Sequence, residues 1–124
     1  MERRRVVITG LGAVTPVGLT ADESWTAVKG GVCGIGPITH YDPAAQKVKL
    51  AAEVKGFDPE ALLGRQEAKR MGRFTQFAVA AAREALADAG LSAGQVDADR
   101  YGVIISSGIG GQAITEAEHS RGLE

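Results

Sequence analysis

The chain has 124 residues, with 14 Lys or Arg against 15 Asp or Glu and a net charge of -1. That length allows one domain with a hydrophobic core, and the balanced charge excludes a bulk electrostatic attraction to nucleic acid or a membrane surface. At 44% hydrophobic and 23% charged residues the composition matches soluble globular proteins and argues against disorder.

The first apolar stretch is residues 5–9, where Val6, Val7 and Ile8 form a continuous β-branched run, the pattern of a strand covered on both faces in a parallel sheet. It leads into Gly10 and Gly12, which raises the question of a nucleotide site. A dinucleotide fingerprint needs a third glycine where Thr15 stands, followed by Pro16, and the Gly-Lys-Ser ending of a P-loop is absent. The two glycines are therefore expected to serve backbone conformation or close packing. Thr20-Ala-Asp-Glu23 has the spacing of a capping box, which predicts a helix over 21–29 stopped by Gly30 and Gly31.

Residues 32–58 are broken by Gly34, Gly36, Pro37 and Pro43, so a loop-rich excursion is expected there, with one short strand at 48–54. Over 65–89, Met71, Phe74, Ala78, Ala81, Ala85 and Ala89 recur at three- and four-residue steps until Gly90, predicting one long amphipathic helix. Beyond Phe77 its apolar stripe is mostly alanine, so a neighbouring element can approach closely. A polar stretch at 91–100 precedes a second buried strand expected at 101–105, a glycine turn at 106–111 and a helical pattern from Gln112. The strand–turn–helix unit is thus repeated, and the last pattern reaches Leu123 and Glu124 without a stop signal, as expected of the front part of a longer protein.

Reactive side chains are few. Cys33 is the sole cysteine, which excludes an internal disulfide or a cysteine zinc cluster and fits a reducing compartment; it reads as a small, semi-buried loop residue. His40 in a proline-flanked loop and His119 on a polar helix are out of metal-binding register with a second ligand, and no metal site is expected. Ser106 and Ser107 do not meet the Gly-x-Ser-x-Gly pattern of a nucleophile elbow and read as turn residues. No signal-peptide pattern or membrane-length apolar run occurs, so the expected location is the cytoplasm.

Several motifs occur in a telling order: Arg-Arg-Val-Val-Ile-Thr-Gly-Leu-Gly-Ala-Val-Thr-Pro-Val-Gly18, Ser24-Trp25, Gly34-Ile35, Glu67-Ala-Lys-Arg-Met-Gly-Arg-Phe74 and Ser107-Gly-Ile-Gly-Gly111. Together they resemble the N-terminal part of β-ketoacyl-acyl-carrier-protein synthases, the elongating type II class especially, over essentially the whole chain. The resemblance implies an α/β, thiolase-like fold, of which residues 1–124 form an incomplete part of the first of two α/β halves. It implies an acyltransferase of fatty acid biosynthesis that condenses an enzyme-bound acyl group with malonyl-acyl carrier protein, releasing carbon dioxide. The intact enzyme would be a homodimer without a resident cofactor, its substrates carried on the phosphopantetheine of acyl carrier protein.

In that family the nucleophile is a cysteine in a Thr-Ala-Cys context assisted by two histidines. Cys33 stands in Gly-Val-Cys-Gly-Ile, so no catalytic residue is assigned within this chain, and the segment alone is expected to be inactive. The resemblance places carrier-protein docking on Lys69 and Arg70, flanked by Arg65 and Arg73, with Gln66 standing where the family has a lysine. It places Ile109 in the acyl-chain pocket, where a bulkier side chain would shorten the accepted chain. Two alternatives stay open: a polyketide ketosynthase or its chain-length partner in the same fold, and a non-enzymatic module that binds an acidic partner through the basic helix.

Overall fold

The computed structural model describes residues 3–92 and 94–123; Met1, Glu2, Ala93 of the polar 91–100 stretch and the chain end at Glu124 lie outside the described residues. The first helix, α1 (Ala21–Lys29), starts at the expected cap: the Thr20 hydroxyl accepts from the Glu23 amide, while the Glu23 carboxylate reaches back one residue past the cap and accepts from the Leu19 amide. A three-residue hairpin follows, β1 (Ile35–Pro37) antiparallel to β2 (Leu50–Ala52), with Gly36 opposite Ala51. The expected strand at 48–54 is thus shorter than its apolar run, and its partner lies in a segment that reads as loop.

Helix α2 (Pro59–Leu63) falls where no helix is expected, although it carries a start signal: the Asp58 carboxylate accepts from the Ala61 amide and Pro59 opens the first turn. The long helix expected over 65–89 is two, α3 (Arg65–Arg70) and α4 (Arg73–Asp88), separated by extended backbone at Met71 and Gly72. Apolar spacing conceals the break, since Met71 and Phe74 keep a three-residue step across it. The break itself is held by a tertiary bond that no local pattern announces. Gln76, a buried polar residue, donates its amide to the Ala68 carbonyl at 2.8 Å and the Met71 carbonyl at 3.2 Å, occupying acceptors a continued helix would use. At the other end, Gly90 adopts φ +65° and the Leu91 amide reaches the Leu86 carbonyl, the six-to-one bond of a glycine-terminated helix.

The two expected buried strands are absent as strands. Residues 6–8 have no regular structure and are exposed, with Val6 at 93% and Ile8 at 82%, and residues 101–105 likewise, with Ile104 at 97%. A strand is a strand only when its N–H and C=O groups meet a neighbour, and among the described residues neither segment finds one. Both nevertheless lie along the same face of α4, where Val7, Ile8, Ala82, Leu86, Tyr101 and Ile104 help line a cleft of about 480 Å³. The last helix, α5 (Gln112–Arg121), starts after Gly111 as the sequence pattern predicts.

The expectation of close approach to the alanine stripe is met by the glycine turn. A Cβ at Gly12 would overlap the Ala81 carbonyl oxygen and lie 2.8 Å from the Ala85 nitrogen; one at Gly10 would overlap the Ala85 carbonyl and lie 2.8 Å from the Ala89 Cβ. Contact this close leaves the turn's amides facing α4, and α4 supplies their acceptors. The Asp88 carboxylate accepts from the Leu11 amide at 2.9 Å, and the two oxygens of Glu84 accept from the amides of Ala13 at 2.9 Å and Ala21 at 2.8 Å. Arg83 on the same helix donates to the Leu62 carbonyl at 2.7 Å and ties down α2. The small core is Phe57, Leu63 and Ala68, with Phe57 edge-on to Phe77 at 4.9 Å between ring centroids.

The Gly12→Ala variant is expected to lose about 1–3 kcal/mol of stability through overpacking against the α4 backbone. Urea denaturation of the purified protein measures it; an unchanged midpoint would mean that the turn stands clear of α4.

Candidate functional site

Helix α3 is anchored on one side and open on the other. Ala68 is 5% exposed and faces the core, and the Gln76 amide fastens its carbonyl. Arg65 and Lys69, four residues apart on one face, and the adjoining Arg70 are exposed, and among the described residues no hydrogen bond or ion pair holds their charged heads. Lys69 and Arg70 occupy the last turn, where positive charge is favoured by the helix dipole. The result is a short, rigidly seated helix with three cations directed to solvent.

Arg73 belongs to different chemistry. It opens α4 rather than continuing α3, its guanidinium donates to the Val54 carbonyl at 3.1 Å, and it lies 4.9 Å from the Phe77 ring centroid and 5.8 Å from that of Phe57. Although exposed, the guanidinium helps pack the β2–α2 connection against α4 through that carbonyl and the two rings. The four basic residues expected together are thus shared between two helices, with Arg73 exposed at the start of α4 and Arg65, Lys69 and Arg70 on α3.

Ile109 sits in the glycine loop before α5 and is 81% exposed, so the described residues do not enclose it in a pocket. What they do show is the loop's seat. The Phe74 ring, at the start of α4, lies against the backbones of Gly110 and Gly111. In the sequence Phe74 is only one position in an apolar stripe. The glycines around it carry the signal: they mark where a ring replaces side chains.

The remaining candidates stay apart. Cys33 is exposed in the loop after α1 rather than semi-buried, because the turn that follows the helix carries it outward. His40 lies in the loop after β1 and His119 on α5, both exposed; Ser106 and Ser107 lie in the extended loop before α5. Among the described residues no group of three or more His, Cys, Asp or Glu is placed to hold a metal ion. A cleft of about 580 Å³ bordered by Asp22, Trp25, Glu84 and Asp88 looks acidic, but Glu84 and Asp88 are already engaged by backbone amides of the glycine turn and of Ala21. No helix among the described residues is long and apolar enough to cross a membrane.

One carboxylate has a clearly altered acidity. Glu53, after β2, accepts from the Thr39 hydroxyl at 2.6 Å, the Thr39 amide at 2.9 Å and the His40 amide at 3.4 Å. The Thr39 hydroxyl first, then the backbone donors, hold its pKa below the usual carboxylate value. This carboxylate closes the loop between the hairpin strands, a structural use.

Comparison with known proteins places the chain. The family model for the beta-ketoacyl synthase N-terminal domain matches residues 3–123, and the chain belongs to that family. It is 46% identical over 120 residues to 3-oxoacyl-acyl-carrier-protein synthase 2 of Synechocystis sp., covering 97% of this chain and 29% of the relative. It is 42% identical to the protein of that name from Vibrio cholerae, over 100% of this chain and 30% of the relative. Among solved structures it is similar to the ishigamide ketosynthase/chain length factor, with TM-score 0.66 and 40% identity over 73% of this chain and 23% of that one. A beta-ketoacyl synthase from Burkholderia phymatum matches with TM-score 0.60 and 36% identity, over 78% of this chain and 24% of that one. The fold is therefore the thiolase-like α/β fold of ketosynthases, and the chain spans just under a third of the length of its curated relatives.

Because the folded pKa of Glu53 is depressed, its stabilising effect is complete above the unfolded carboxylate value and is lost as pH falls through the lower folded value. A Thr39→Val variant is expected to raise the Glu53 pKa toward the ordinary range, read by NMR titration of the Glu53 carboxyl carbon. A titration identical to wild type would remove the hydroxyl as the main cause.

Proposed function

We propose that this chain is the N-terminal part of the first α/β half of a 3-oxoacyl-acyl-carrier-protein synthase, and that its own contribution is to receive the carrier rather than to perform the chemistry. The reaction would join an acyl group held on a cysteine thioester to the carbanion released when malonyl-carrier protein loses carbon dioxide, the cysteine and two histidines being supplied outside this chain. The substrates would arrive on phosphopantetheine, and the enzyme would act in the cytoplasm as a homodimer. Support comes from the family match and from relatives named for this activity.

The observation that carries the local role is the state of α3. Arg65, Lys69 and Arg70 are exposed cations on a helix whose inner face is pinned by Ala68 and Gln76. An acidic carrier needs such a surface for steering and orientation more than for tight binding. Pinning matters because cations on a loose helix would attract the carrier without fixing its approach. A second reading, a polyketide ketosynthase or its chain-length partner, is favoured by the similarity to the ishigamide ketosynthase/chain length factor. The family match speaks against the self-contained acidic-partner module.

Reversing charge with Lys69→Glu and Arg70→Glu in the full-length synthase is expected to raise the apparent KM for carrier-bound acyl substrate on the order of tenfold. The KM for an acyl-pantetheine thioester without the carrier should hold, and the defect should shrink as salt is raised. Equal KM values for variant and wild type on the carrier-bound substrate at physiological salt would overturn the docking role.

A further inference from the structure

We propose that Phe74 is the positioning residue that sets the depth of the acyl pocket, by fixing the glycine loop that carries Ile109. The inference rests on the reading of Ile109 as a pocket-lining residue and adds the element that holds it in place.

The geometry is specific to this ring. A Cβ at Gly110 would lie 2.8 Å from both Cδ2 and Cε2 of Phe74, and one at Gly111 would lie 3.1 Å from Cε1. A Cβ at Gly72 would likewise lie 2.9 Å from the ring's Cε1, and 2.6 Å from Cδ1 of Ile114 on α5. The ring is thus clasped by three backbones that only glycine permits to come so near. It belongs to the first turn of α4, which Gln76 and Arg83 tie to the Ala68 and Leu62 carbonyls, so it is a fixed point against which a loop can rest.

Among the described residues, the backbone of 102–110 makes no hydrogen bond to another element. Ile109 is 81% exposed among the described residues and lies one residue from the glycine on which the ring bears. Ser107 folds back over the same point, its Oγ 3.0 Å from the position of a Gly110 Cβ. Packing against Phe74 is thus the contact by which the described residues seat the 107–111 backbone, and with it the Ile109 side chain. Phe74 is itself 42% exposed and lies outside the core of Phe57, Leu63 and Ala68. Its removal frees the loop while leaving that core in place.

The test uses the full-length synthase with a short and a long saturated acyl chain on the carrier, comparing Phe74→Ala, Phe74→Leu, Ile109→Phe and the Phe74→Ala/Ile109→Phe double variant. Ile109→Phe is expected to shift the ratio of kcat/KM toward the short chain on the order of tenfold. Phe74→Ala is expected to shift it toward the long chain by about threefold or more, with Phe74→Leu intermediate, and the double variant to depart from the product of the single effects. If Ile109→Phe moves the ratio while Phe74→Ala lowers both substrates equally, the pocket reading stands and the positioning role is overturned. If Ile109→Phe leaves the ratio unchanged, the pocket reading fails and takes the positioning role with it. Should Phe74→Ala not fold, Phe74→Leu decides on the same criterion.

Discussion

The contact on which the rest of the structure depends is that between the backbone of Gly10–Gly12 and the alanine face of α4. Its closeness excludes side chains at both glycines, and it orients the turn's amides at the carboxylates of Glu84 and Asp88. The same Glu84 accepts from Ala21 at the start of α1, so one side chain joins the turn, the first helix and α4. Three amides from a segment some seventy residues distant in sequence are satisfied by two side chains one helical turn apart. Such charge-assisted bonds are stronger than neutral ones, and leaving these amides without partners would cost about 1–3 kcal/mol each if buried.

With its middle and C-terminal end committed to the glycine turn, α4 has its N-terminal end available for function. There Gln76 pins α3 and its cations, Arg73 packs on Phe57 and Phe77, and Phe74 seats the loop of Ile109. The candidate carrier surface and the candidate pocket loop thus share one helix end as their support.

Much of this is legible in residue order. The Thr20 cap, the stop at Gly90 and the close-packing role of Gly10 and Gly12 are local or near-local signals, and the structure has all three. The division between α3 and α4 is hidden because the apolar spacing from Met71 to Phe74 runs across it, while its cause, Gln76 bonding to Ala68 and Met71, is tertiary. Residues 6–8 and 101–105 read as buried strands because β-branched runs report a preference for a covered sheet. They cannot report whether partners are present, and among the described residues none pairs with them. At the site, Lys69 and Arg70 can be picked out from their motif, whereas the bonding of Arg73 to the Val54 carbonyl and the seating of Phe74 depend on contacts between elements.

Native-state hydrogen exchange at the amides of Leu11, Ala13 and Ala21 tests the central role of α4 most directly. If Asp88 and Glu84 hold the glycine turn, all three exchange far more slowly than an open loop, and Glu84→Ala releases Ala13 and Ala21 while leaving Leu11 protected. Rapid exchange of all three in the unaltered protein would contradict it.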